Sequence, residues 1–199
     1  RHMILTIVLI CTRLQENINI LVFKKRAHTR GKWYLIGFAT NSKWFINIKN
    51  TMKMGVATLV STAEGDVDLS YASRGHRERN ADGSCWRRSN RAKKTDMPGK
   101  FTFVSWGSKN DIIVVDVKYD DYALVYDIKT KQKVNKIIHL YGKDLTSRRD
   151  EVSANVKEKF KQLALDAGTL AENIVFLPKN GTFKSLDPCA RTQVCDGRF

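Results

Sequence analysis

The stretch GKWYLIGFATN, Gly31 to Asn41, decides the fold: a tryptophan follows a glycine by two positions at the head of an alternating apolar run. Alternation with period two belongs to a strand that shows one face to a core and the other to different surroundings. From Gly31 onward such runs recur, rich in β-branched and aromatic residues and separated by Gly, Asp, Asn and Ser clusters. This spacing predicts an antiparallel meander. Eight strands are expected, approximately over 32–40, 55–62, 66–72, 84–92, 100–106, 111–118, 122–129 and 135–141. Turn signals fall at EGD (64–66), ADG (81–83), MPG (97–99) and SKND (108–111).

Beyond the strands the period changes. Val152, Val156, Phe160, Leu163 and Ala167 recur every three or four residues among Lys157, Glu158, Lys159 and Lys161. One amphipathic helix is expected, with Asp150 as N-cap, Glu151 at the positive end of its dipole and Gly168 as its stop. A short apolar run, 174–177, follows before Pro178. A lone helix with one apolar stripe must lie on another surface, here the outside of the sheet. An eight-strand meander closes into an up-and-down barrel, which removes its edges and is the size that holds one small ligand. A two-sheet sandwich is the alternative, but usually needs longer Greek-key connections. The expected fold is therefore all-β: an eight-stranded antiparallel up-and-down β-barrel with one C-terminal α-helix packed outside. An atypical N-terminal segment (1–30) should precede the barrel and helix (31–178), and a C-terminal tail (179–199) should follow.

The 199 residues suit one domain with a sizeable core, and 35 Lys and Arg against 20 Asp and Glu leave a formal charge of +15. Such a charge suggests acidic ligands, polyanions or membrane surfaces as partners. The basic residues cluster at 24–32, 74–94 and 129–149, where most read as solvated loops and edges, so nucleic acid is not the expected partner. The apolar run MILTIVLIC (3–11) is far too short to cross a bilayer as a helix and has the length of the apolar part of an export signal, although no small-x-small cleavage pattern follows. Cys11, Cys85, Cys189 and Cys195 are too widely spaced for a zinc knuckle or a CxxC redox pair. A bridge from Cys85 to the tail would close roughly 100 residues, worth about 4 to 5 kcal/mol in the chain-entropy account. The sequon at Asn180 fits the same extracellular setting.

Enzymatic constellations are missing. His2, His28, His76 and His139 stand in no metal-ligand or triad-like spacing, and there is no Walker loop or GxGxxG. Asp120 and Asp121 are adjacent in an extended turn, so their carboxylates point apart. No cofactor or metal is expected.

GKWYLIG at the first strand, YDDYALVY at 119–126, LYG at 140–142 with a following Arg, and the late helix ending in ENIVFLP together resemble the lipocalin family over 31–178. ATNSKWF and VKEKFKQLALDAGTLAENIVFLP are most similar to its branch of lipocalin-type prostaglandin D synthases and their fish relatives. The resemblance implies that Trp33, following Gly31, closes the barrel floor under a cation. Arg148 is the better match for that cation, with 143–147 treated as an insertion; without one, Lys143 would take the place. In the second motif Tyr119 and Tyr122 match, whereas Val117 and Lys118 stand where Thr and Asp are usual. The resemblance also implies a disulfide from Cys85 to the tail, for which Cys189 is nearer than Cys195.

The prostaglandin-isomerising branch uses a cysteine thiolate at the start of the second strand, because opening the endoperoxide needs a soft nucleophile. Gly55 occupies that position here. The resemblance thus implies a secreted, monomeric carrier of a small hydrophobic ligand such as a retinoid or fatty acid, with a prostaglandin-H2 D-isomerase-like enzyme as the alternative. Candidate wall residues are Trp44 and Phe45 beside the mouth, Met52 and Met54 before the second strand, and Leu69, Tyr71, Phe101, Phe103 and Val125. Alternation shows two faces without saying which is inside.

Overall fold

The run that opens at Gly31 is a strand, β1 (Gly31–Ala39), and it closes the sheet. A computed structural model describes residues 31–74, 85–143 and 152–178. After β1 come a short helix α1 (Lys43–Ile48) and seven strands. These are β2 (Val56–Ser61), β3 (Val67–Arg74), β4 (Cys85–Lys94), β5 (Lys100–Ser105), β6 (Ser108–Lys118), β7 (Tyr122–Thr130) and β8 (Val134–Gly142). Helix α2 (Ala154–Asp166), a single 3-10 turn (Ala171–Asn173) and a short ninth strand, β9 (Ile174–Phe176), complete the order.

Neighbours in sequence pair antiparallel from β2 to β8, β8 pairs with β1, and β1 returns to β2, so eight strands form the expected closed barrel. One edge of β1 is shared. Gly31 to Tyr34 pair with β2, while Gly37 to Ala39 pair with β9, which takes over where β2 leaves off. On its other edge the pairing with β8 shifts register between Leu35 and Gly37. That bulge inserts Ile36 and resets the alternation. Trp33, Leu35 and Phe38 consequently all face inward, and Gly37 and Ala39 face out.

Helix α2 covers the outward face. Val156, Phe160 and Ala164 pack on Ala39, Leu124, Ile138 and Leu140, a buried layer separate from the barrel interior. Tyr122 belongs to this layer, and its hydroxyl donates to Asp116 Oδ2 at 2.8 Å. Lys159 of α2 reaches the same carboxylate at 3.1 Å.

The N-cap expectation is corrected. The cap is Ser153, whose Oγ accepts from the Val156 N–H, because the first turn begins at Ala154; Asp150 and Glu151 lie outside the described residues. Gly168 does end the helix segment in the left-handed conformation, with φ of 85°.

Another correction concerns the turn read at SKND. Trp106 and Gly107, with φ of 51° and 69°, form the turn instead, and Ser108 already belongs to β6. Two consecutive left-handed residues match the twist of the flanking strands, which lets β5 and β6 turn back immediately. The six-residue α1 was not expected, being too short to show a helical period, and neither was pairing of the 174–177 run as β9.

Candidate ligand-binding site

Side chains from β1, β2, β3, β6, β7 and β8 converge around Trp33, which is 3% exposed. Its neighbours include Ala57, Leu59, Leu69, Tyr71, Val117, Ala123, Val125 and Tyr141. Only the inside of a closed barrel brings residues from these strands onto one indole. Lys143, just past β8, places its ammonium 4.4 Å from the centre of the Trp33 ring. Its backbone N–H is anchored on the Asp121 carbonyl at 2.8 Å. Burial lowers the Lys143 pKa and Asp120 opposes the shift. A cation over a tryptophan face contributes roughly 0.5 to 2 kcal/mol.

The need for glycine at position 31 comes from its backbone, and the flexible end of Lys143 lies beside it. Gly31 has φ of 132°, and a Cβ there would lie 2.9 Å from Lys143 Nζ. The cation seen in place is Lys143, not the expected Arg148, which lies outside the described residues.

Toward the open end, Phe38 packs against Phe45 at 4.8 Å, His139 at 5.0 Å and the edge of Trp44 at 5.9 Å. His139 continues to Tyr141 at 5.7 Å. Burial pushes the His139 pKa down to about 4, so the ring stays neutral. Burial raises the hydroxyl of Tyr71 to about 12, partly offset by the neighbouring Ser73. Tyr141 is raised first by burial and then by the nearby Tyr71 and Asp127.

Nearer the mouth the interior carries charge. Arg88 stands directly opposite Tyr71 and so shares its inward face. Its guanidinium lies 4.1 Å from the centre of the Trp106 ring. Asp127 stands opposite Ile112 and Ile137, and Lys129 opposite Asn110 and Asn135. Burial pushes the Asp127 carboxyl up to about 6 against the pull of Lys129 and Arg88, and Oδ1 is buried without a hydrogen-bond partner among the described residues. Lys129 is lowered by burial and by Arg88. Two cations and one strained carboxylate thus overlook an aromatic interior.

The structure brings together most of the expected wall. Leu69, Tyr71 and Val125 pack against the interior cluster of Trp33, Ala57 and Ala123. Phe101 and Phe103 stand opposite Ile112 and Asn110, on the face that carries Asp127 and Lys129. Phe45 is fully buried with Phe38 and Met52, whereas Trp44 remains 38% exposed at the mouth. Met54 packs instead with Tyr34 and Val56, in a cluster apart from the one around Trp33. Tyr119 is partly buried at the closed end, and burial pushes its hydroxyl up to about 12. Cys189 and Asn180 lie outside the described residues.

Arg88, Trp106, Asp127, Lys129, His139 and Tyr141 escaped the sequence reading. Its signal was present in period two: carrying alternation through CWRRSNRAKK places Arg88 inside, but a strand so polar gives no apolar face to follow. At Gly55, a side chain would overlap the hydroxyl and ring of Tyr71, so the position matched to the isomerase thiol has its space filled.

Comparison with known proteins agrees with this architecture. The profile of the lipocalin / cytosolic fatty-acid binding protein family matches residues 30–181. A lipocalin from Rhinella marina is 37% identical over 158 residues, covering 78% of this chain and 80% of its own. A prostaglandin-H2 D-isomerase from Felis catus is 34% identical over 151 residues, covering 75% and 74%. An extracellular fatty acid-binding protein from Coturnix japonica is 29% identical over 154 residues, covering 77% and 80%. Among solved structures, a siderocalin described as Ex-FABP with dual ligand specificities superposes with a TM-score of 0.65 at 25% identity, covering 78% of this chain and 97% of its own. With the closed eight-stranded barrel, the buried Trp33 under a cation and the helix outside, these matches show that the chain belongs to the lipocalin family.

Proposed function

We propose that this barrel is a secreted carrier of one small lipophilic acid, a retinoid or a fatty acid, with its apolar body in the aromatic interior and its carboxylate toward Arg88 and Lys129. The observation that carries this reading is the pair of inward-facing cations above the Phe101, Phe103 and Val125 wall. Concave, largely apolar sites with a few placed polar groups are what such ligands occupy. Extracellular function is supported by the name of the Coturnix japonica relative, and it suits the expected Cys85 to Cys189 bridge and glycosylation at Asn180.

Quenching of tryptophan fluorescence by retinoic acid and a panel of fatty acids at micromolar levels tests the carrier. Arg88→Gln should weaken the acids by roughly tenfold, the size of one charge-assisted hydrogen bond, and leave retinol nearly unchanged. Failure of every ligand to quench overturns the reading. The filled space beside Gly55 argues against the isomerase alternative. Prostaglandin-H2 should accordingly decay at the solvent rate in the protein's presence; faster formation of the D-series product would restore the enzyme.

A further inference from the structure

The two ends of the barrel differ in how their charges are arranged. The closed end mixes both signs: Glu64, Asp66, Asp96, Asp120 and Asp121 in the turns 62–66, 95–99 and 119–121 stand beside Lys94, Lys100, Lys118 and Lys143 on the adjoining strand ends. At the open end, the connections 40–55 and 131–133 hold Lys43, Lys49, Lys53, Lys131 and Lys133 and no acid. Lys49 is held by the Glu172 carbonyl at 2.6 Å, and Lys109 at the start of β6 pairs with Asp111 at 3.3 Å. Lys43, Lys131 and Lys133 are exposed, and none is paired with a described acid.

The same end gathers exposed apolar side chains. Trp106, 69% exposed, caps the β5–β6 hairpin beside Val104; Val134 follows the β7–β8 tip, and Trp44 and Ile46 project from α1. The two hairpin tips are neighbours, since a Cβ at Gly107 would lie 4.0 Å from Lys131 Cε. The Trp106 ring is stacked on Arg88 while its backbone holds a left-handed turn. An exposed bulky residue in that conformation is held there by its surroundings.

We propose that the open end is a docking surface for an anionic lipid bilayer, with the mouth turned toward the lipid. The exposed apolar groups are carried by α1 and two hairpins whose connections also hold Lys43, Lys131 and Lys133, a mixture of apolar and basic side chains unlike the charge-depleted core of a protein interface. Tryptophan prefers the headgroup level, lysine stems lie along apolar surface while their ammonium groups reach the phosphates, and the basic tips complement anionic lipid. The closed end, where acids and lysines are mixed, offers no such combination of basic and apolar tips, so the mouth is the end that turns to the lipid. A lipophilic ligand then passes between bilayer and barrel without crossing open water, whichever acid it is.

The test is co-sedimentation of the full chain with phosphatidylcholine vesicles lacking or containing phosphatidylserine. Binding is expected only with phosphatidylserine and should weaken as salt rises. Brominated lipid should quench tryptophan emission, with less quenching in Trp106→Phe. Lys131→Glu/Lys133→Glu, on an exposed turn, should reduce vesicle binding by roughly tenfold or more, at about 1 kcal/mol per lysine removed and more for reversal. Lys93→Glu, near the closed end, should change it far less. No vesicle binding, or equal loss in the Lys93 variant, overturns the proposal. Self-association in sedimentation velocity that the open-end variants abolish would assign the face to a second copy instead.

Discussion

Asp127 is a carboxylate whose surroundings work against its charge, and a pH-dependent stability follows. In the unfolded chain its pKa is near 3.8; in the fold burial raises it to about 6. Between these values the folded state holds the extra proton, so stability falls as pH rises through this window and stays reduced above it. Asp127→Asn should therefore match the parent near pH 4 and exceed it by on the order of 2 kcal/mol near pH 8, measured by urea denaturation without ligand. An unchanging difference would mean that the charge is not disfavoured. His139 acts with the opposite sign. Its folded pKa of about 4 against 6.5 keeps the ring neutral, so the stability it supplies above 6.5 is lost as pH falls toward 4. Its ring signals in NMR should remain about nine-tenths neutral at pH 5, where an exposed histidine is largely charged. Neither behaviour was legible from sequence, because both depend on burial produced by strands far apart in the chain. Trp33 was legible from its motif, but the choice between Lys143 and Arg148 was not, since it turned on whether 143–147 is inserted.

At the scale of elements, β1 and α2 explain each other. Gly37 faces α2, where a Cβ would lie 3.0 Å from both Phe160 Cε1 and Leu140 Cβ. The glycine lets a fully buried phenylalanine lie flat on the barrel. Phe160→Ala should cost about 3 to 5 kcal/mol in denaturation experiments, while ligand quenching of the folded variant is retained because the layer lies outside the barrel. Loss of binding in a variant that remains folded would mean that α2 shapes the interior. The eight strands and α2 were legible because their apolar periods are long. What escaped was set by short-range geometry: Ser153 as cap, the turn at Trp106 and Gly107, and the pairing of β9 along the part of β1 that β2 leaves.

For the whole molecule, the alternation of connections decides what the +15 charge does. In a meander successive turns go to opposite ends, so the basic connections 40–55 and 131–133 gather at the mouth, while the acidic turns meet the lysines of the strand ends at the floor. Read as a total, the charge suggests any polyanion; distributed over the fold, it marks the mouth. The sequence by itself determined the barrel, its outer helix and the tryptophan floor, because period-two and period-3.6 burial and a few turn residues are local properties. It also determined that position 55 has no thiol. Only the tertiary structure decided which face of each strand is inside, since the bulge in β1 resets the alternation and a polar strand such as β4 has no apolar stripe to reveal its inner side. It likewise decided that Arg88, Lys129 and Asp127 share the interior and that Tyr71 fills the space beside Gly55, because those contacts exist only once strands distant in sequence close into a ring.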